Sequence, residues 1–262
     1  MNKKKINWGY FGSLILSVVL ALAVGAAIMA ATGYDPLNAY HELFRGATGC
    51  DNLGQVFTGL FTKRQFGNTV EYAMVLFLTG LACAVGARAG IFNVGGEGQL
   101  YLGAIVSAYI GVVLNGLSPW IVIPVAALGA MAAGALYAWI PGVLKVKKKV
   151  NEVITTIMMN SIAIYFCAFL SNGPWKTSQP NRVSGTDPLD NVYRFTQLIR
   201  GSNLTTAIFA SAIIAFLIWY VMSRTATGFE MKLTGHNPRF AKYLGLSVDK
   251  LVIGSMVVSG AI

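Results

Sequence analysis

Over residues 8–32, 69–88, about 92–114, 119–140, 152–171 and 204–222 the chain strings together runs of mainly apolar residues with very few charges inside them. About 30 Å of hydrocarbon divided by a helical rise of about 1.5 Å requires about 20 residues, so each run is long enough to cross a bilayer. With 55% hydrophobic and only 11% charged residues, and a mean hydropathy of +0.60, the chain reads as an integral membrane protein. The expected fold class is all-α, a polytopic transmembrane helix bundle with about six complete spans and the start of a seventh. That last run begins near Leu251 and stops at Ile262 after "LVIGSMVVSGAI", too few residues to cross. We therefore expect a single membrane-spanning domain over residues 1–262 whose C-terminal part is missing from this sequence. The first run follows a basic start, "MNKKK", but it exceeds the apolar core of a signal peptide, about 7 to 15 residues, and is read as an uncleaved helix.

The third run is irregular. Its regular part, "LYLGAIVSAYIGVVL" from Leu100 to Leu114, is about 22 Å of helix and must recruit the preceding "IFNVGGEGQ" to cross. Gly90, Gly95, Gly96 and Gly98 each weaken a helix, so this third span is expected to be discontinuous. Irregular backbone is tolerated at membrane depth only where protein or a water-filled cavity covers it, and broken helices often line transporter binding sites. Asn93, Glu97 and Gln99 on this segment are thus candidates for a substrate path. Two plainer readings stay open: the glycines permit close helix packing, and Glu97 lies at headgroup level, where a carboxylate costs little. The spacing of "GGEGQLYLG" fits neither common nucleotide-binding glycine motif.

In "VNEVITTIMMNSIAIYF", Val150 to Phe166, the residues Glu152, Thr156 and Asn160 recur at i, i+4 and i+8 and share one helix stripe. A polar stripe within a span faces protein or water. It either lines the path opposite Glu97 or bonds to a neighbouring helix.

Charge sets the orientation. With the N-terminus in the cytoplasm, Lys3 to Lys5, Arg88, the run "KVKKK" at 145–149, Arg224, Lys232, Arg239, Lys242 and Lys250 all become cytoplasmic, 13 of the 20 basic residues. The net charge of +10 then reports topology and anionic lipid, with no call on nucleic acid. Cys83 and Cys167 fall inside spans, Cys50 stands alone in an outer loop, and no Cys/His spacing suits a metal.

The last cytoplasmic loop carries a short amphipathic helix. Asn237 suits an N-cap, Pro238 the first helical position and Gly245 the C-terminal stop, while Phe240, Tyr243 and Leu244 fall at i, i+3 and i+4. Such an element either rests on lipid or inserts its apolar side into a partner protein.

Three segments, "FNVGGEGQLYLGA", "VNEVITTIMMN" and "TGFEMKLTGHNPRFAKYLGLSV", resemble the permease subunits of bacterial ABC importers in the branched-chain amino acid, ribose and nucleoside permease superfamily. With "GYDPLNAY" at 33–40 they are most similar to the nucleoside or sugar permeases that work with basic-membrane-protein-type lipoproteins. One departure is Gly96, where a larger apolar residue is common. The resemblance implies a multi-pass protein of the bacterial plasma membrane that takes up nucleosides at the expense of ATP. It implies partners as well: a cytoplasmic ATP-binding subunit that holds ATP and Mg, a second permease subunit, homologous or identical, and an extracytoplasmic substrate-binding lipoprotein. No cofactor is implied in this chain. Gly235, Asn237, Ala241 and Gly245 match the superfamily's coupling loop, which contacts the ATPase. No grouping of nucleophile, base and orienting residue suggests catalysis here. The alternatives are an ion- or proton-coupled secondary transporter in which Glu97 or Glu152 titrates, and an ABC importer for sugar.

Overall fold

The computed structural model describes residues 8–52, 54–56, 60–179 and 185–262, so Lys3 to Lys5 of the basic start lie outside the described residues. Among the described residues five helices are long and apolar enough to cross a membrane: α1 (Trp8–Ala31), α3 (Arg64–Arg88), α5 (Pro119–Lys148), α6 (Glu152–Asn172) and α7 (Ala207–Arg224). Between and after them come α2 (Pro36–Thr48), α4 (Gly96–Val113), α8 (Ala226–His236), α9 (Pro238–Tyr243) and α10 (Val248–Ala261). The expected third span is broken as the glycines imply. Its helix, α4, is 18 residues long, and the non-helical chain before it buries Ile91, Asn93 and Gly95.

Two compact units divide the chain, one comprising residues 1–70 and 197–204, the other residues 71–196 and 205–262. In the first, none of the apolar window of α1 is buried within the chain, and Ile15 and Ile28 are 65% and 60% exposed. An aqueous fold hides such side chains, whereas lipid accepts them. Asp35 starts α2 by accepting a hydrogen bond from the Leu37 N–H at 3.0 Å, and Gly49, at φ +74°, ends it. The Tyr40 hydroxyl donates to the Leu22 carbonyl of α1 at 2.7 Å.

The second unit is built around close backbone approach. Without a hydrophobic force between helices in lipid, association depends on small residues that let backbones meet. α5 supplies Gly134, Ala138 and Gly142 at i, i+4 and i+8, all buried, and packs antiparallel on α10. A β-carbon added at Gly134 would run into the Gly260 carbonyl oxygen, and one added at Gly142 would stand 3.2 Å from Met256 Cβ. α6 joins through the Tyr137 hydroxyl of α5, which donates to the Met159 carbonyl at 2.6 Å. Leu102 of α4 packs with Ala163 and Cys167 of α6. The turn between α5 and α6 is sharp: Lys149 adopts a left-handed conformation at φ 55°, and the Asn151 side chain accepts from the Val153 N–H to begin α6.

This packing separates two glycine substitutions. Gly134→Ala overpacks the α5/α10 contact and is expected to cost about 1–3 kcal/mol, whereas Gly80→Ala, whose β-carbon meets nothing within 4 Å, should be neutral or slightly stabilising. Thermal unfolding of the purified protein in detergent compares them, and equal melting temperatures would refute the contact's importance.

Candidate functional site

The break before α4 creates a local problem of hydrogen bonding. A helix leaves its first N–H groups unpaired, and the residue in the N-cap position of α4, Gly95, has no side chain to accept them. Asn160, on α6, does so from outside: its Oδ1 accepts from the Gly98 N–H at 2.9 Å, and its Nδ2 donates to the Val94 carbonyl at 3.0 Å. Asn93 performs a similar task from within the segment, its Oδ1 accepting from the Gly95 N–H at 2.8 Å. The Asn93 Nδ2 donates to Gln99 Oε1 at 3.1 Å and to Ser259 Oγ at 2.8 Å, and Ser259 in turn donates to the Ala82 carbonyl at 2.6 Å. α3, α4 and α10 are thereby tied to the break, and Asn160 adds α6.

The glycines follow from this crowding at two positions. A β-carbon at Gly95 would lie 2.9 Å from both Asn93 Oδ1 and Gln99 Nε2, and one at Gly98 would lie 3.0 Å from the Asn160 Cα. Gly96, the departure from the resembled pattern, has open space around it.

Of the six expected path residues, four are brought together. Asn93 and Gln99 are buried, Thr156 is fully buried beside Gly95, and Asn160 clamps the break. The Thr156 hydroxyl donates to the Glu152 carbonyl of its own helix at 2.8 Å. Glu152 pairs with Lys145 across the α5/α6 turn and also meets the backbone of Phe92 in the segment before α4. Glu97 is exposed in the first turn of α4, where the helix dipole favours its charge.

Beside this joint a cavity of about 310 Å³ opens between α3, α4, α5 and α10, at the small end of ligand pockets. Its wall is largely apolar, with Gln99, Thr79, Ser107 and Ser259 as its polar groups. The roles of Ser259 and Lys145, and the cavity itself, leave no local mark in the sequence. A single serine in "VVSGAI" looks the same whether it bonds to its own helix or to a distant asparagine.

At the end of this unit where α3 ends and α4 begins, α8 and α9 meet at Asn237. The Asn237 side chain caps α9 by accepting from the Phe240 N–H at 3.0 Å, and Gly245, at φ +81°, closes it. The Gly245 N–H bonds back to the Lys242 carbonyl and the Leu246 N–H to that of Ala241, which satisfies the end of a short helix. Thr234 and Gly235 belong to α8, so the expected single element over 234–246 is a junction of two helices. Ala241 is fully buried, whereas Phe240, Tyr243 and Leu244 are 49%, 89% and 57% exposed.

Residues 65–262 match the branched-chain amino acid transport system / permease component family, and the chain belongs to that family. It is 32% identical, over 94% of its length, to the guanosine ABC transporter permease protein NupP of Bacillus subtilis, of which 68% is covered. Against the nucleoside ABC transporter permease protein NupB of Lactococcus lactis the identity is 29% over 95% of this chain and 67% of that one. The glucose ABC transporter permease protein TsgB13 of Haloferax volcanii is 31% identical over 97% of this chain and 66% of its own length. The chain thus spans about two thirds of these relatives. No solved structure matches it.

The clamp and the exposed carboxylate should respond differently to substitution. Asn160→Ala strands a backbone donor and a backbone acceptor, and is expected to cost about 2 kcal/mol or more of stability, while Glu97→Gln should change it by less than about 0.5 kcal/mol. Chemical or thermal unfolding in detergent measures both, and an Asn160→Ala protein as stable as the parent would remove the clamp from the account.

Proposed function

We propose that this chain is the permease subunit of an ATP-driven importer of nucleosides. The observation that carries the reading is its likeness along nearly the whole chain to guanosine and nucleoside permeases. The cavity suits that class of substrate: flat apolar faces match its apolar wall, and neutral hydrogen-bonding edges match an amide and hydroxyls better than a charged cage would. Gln99 borders this cavity, and Glu97, exposed two residues before it, is the charged group assigned to the same path. Asn93, Glu152, Thr156 and Asn160 hold that path in shape. Sugar import is the second reading, favoured by the 31% identity to a glucose permease, and it is the weaker one.

ATP and Mg would sit on a separate cytoplasmic subunit, with a second permease subunit beside this one and a substrate-binding lipoprotein on the other face. The orientation follows from charge. Arg88, the lysines at 145–149 and Arg224 stand at the C-terminal ends of α3, α5 and α7, and Lys232, Arg239 and Lys242 on α8 and α9 that follow; the excess of positive charge assigns this end of the alternating helices to the cytoplasm along with the N-terminus. α9 then faces the ATPase. Phe240, Tyr243 and Leu244 offer it apolar anchors, while Arg239 and Lys242 favour an acidic rim around them.

Uptake by the full transporter, assembled with its ATPase and lipoprotein in vesicles, tests the substrate. Labelled guanosine or uridine should accumulate with ATP inside and persist with a protonophore. Accumulation of glucose or ribose alone would replace the nucleoside by a sugar, and uptake that survives ATP depletion but collapses with the protonophore would make this a secondary transporter.

A second experiment concerns the grip. The double variant Phe240→Ala/Tyr243→Ala should reach the membrane folded yet lose co-purification with the ATPase and lose uptake. A double variant that retains both would place the grip elsewhere.

A further inference from the structure

The α8/α9 junction does not end at the surface. Gly235, near the C-terminal end of α8, lies against the turn that follows α3. A β-carbon added at Gly90 would stand 3.1 Å from the Gly235 Cα, and one added at Gly235 would run into the Arg88 carbonyl oxygen. Gly90 sits at φ +81°, in a turn closed by the Ile91 N–H donating to the Gly86 carbonyl at 3.1 Å. Two backbones therefore touch here with no side chain between them to absorb a displacement. The chain leaving Gly90 is not slack either. Ile91 and Asn93 are only 3% and 4% exposed, and Asn93 is bonded to Gln99 and Ser259.

At its other end α8 is held just as closely, with Gly228 pressed on the Val221 carbonyl and on Met222 of α7. One neighbour of the contact is uncomfortable. Thr234 is fully buried and its hydroxyl oxygen has no hydrogen-bond partner. Such a group raises the cost of this packing, and a small movement of α8 that gave the hydroxyl a partner would relieve it.

We propose that the Gly90–Gly235 backbone contact is the joint through which movement of α8 and α9 reaches the segment 91–95, and through Asn93 the Gln99 wall of the cavity. The proposal rests on the reading above, in which a separate ATPase grips α9. It assigns Gly90 a positioning role distinct from docking, since that residue lies in the turn after α3, against Gly235. A packed backbone pair moves as a unit, so a push at α9 arrives at the break, whereas a flexible linker would dissipate it.

The test uses the complete transporter of permease, ATPase and lipoprotein. Gly90→Ala should leave co-purification of the ATPase and its basal hydrolysis unchanged while uptake falls about tenfold, the size of effect expected when a coupling contact is altered without loss of either site. Normal uptake by this variant overturns the joint. Amide hydrogen exchange on the unsubstituted transporter decides the matter even if the variant does not fold. Segments 89–95 and 238–243 should both change exchange rate between the nucleotide-free and ATP-bound complexes. A response confined to 238–243 overturns the joint and leaves the importer reading intact. An unsubstituted chain that neither binds the ATPase nor uses ATP would remove both.

Discussion

Inside hydrocarbon every backbone N–H and C=O needs a partner within the protein, because each one left bare costs several kcal/mol. A continuous helix meets that demand by itself, and a break does not. The interruption before α4 is sustained by the amide of Asn160, which accepts from the Gly98 N–H and donates to the Val94 carbonyl. Only an amide fits. An ionised aspartate can accept but cannot donate, and it would bring a charge into a place where charge is expensive. Asn93 adds a second acceptor at the break, for the Gly95 N–H, and spends its donors on the side chains of Gln99 and Ser259.

From this repair the neighbouring structure follows. For a side chain on α6 to reach the α4 backbone, the two helices must approach closely, which Gly98 permits and a larger residue would prevent. For Asn93 to use its remaining donor it needs Ser259, and Ser259 reaches it only because Gly134 and Gly260 let α5 and α10 touch. Individual hydrogen bonds between membrane helices average about 0.6 kcal/mol, so no single one of these holds the bundle. Their effect lies in direction: together they fix one path for the broken segment and leave Gln99 at the edge of the cavity.

What could be read in the sequence was what is written locally. The spans, the glycine-broken third crossing and the Asn237–Pro238 start of α9 depend on residues within a few positions of one another, and these appear in the structure close to where they were expected. The shared stripe of Glu152, Thr156 and Asn160 was also legible as geometry. Its partners were not. Lys145 takes Glu152 because of a tight turn at Lys149 and Val150, and Ser259 takes Asn93 across 166 positions, neither of which leaves a periodic trace. The same holds for the α5/α10 contact, since "small residue at every fourth position" names a surface without naming what covers it.

Glu97 was visible as an anomaly, and its surroundings now narrow what the anomaly means. At the first turn of α4 the helix dipole offsets about 0.3–1 kcal/mol of the cost of its charge, while a carboxylate at the centre of a bilayer costs about 2.5–3.5 kcal/mol even on the more lenient scale. The first figure does not cover the second. Among the described residues no ion pair offsets the rest, for Glu97 is exposed and Lys145 is engaged by Glu152. A carboxylate in that position is compatible with water, a headgroup layer or a surface supplied by another subunit, and incompatible with hydrocarbon. The buried side of the break is occupied by neutral amides and a hydroxyl, so its charged side is the side turned to whatever polar medium the bundle encloses or borders.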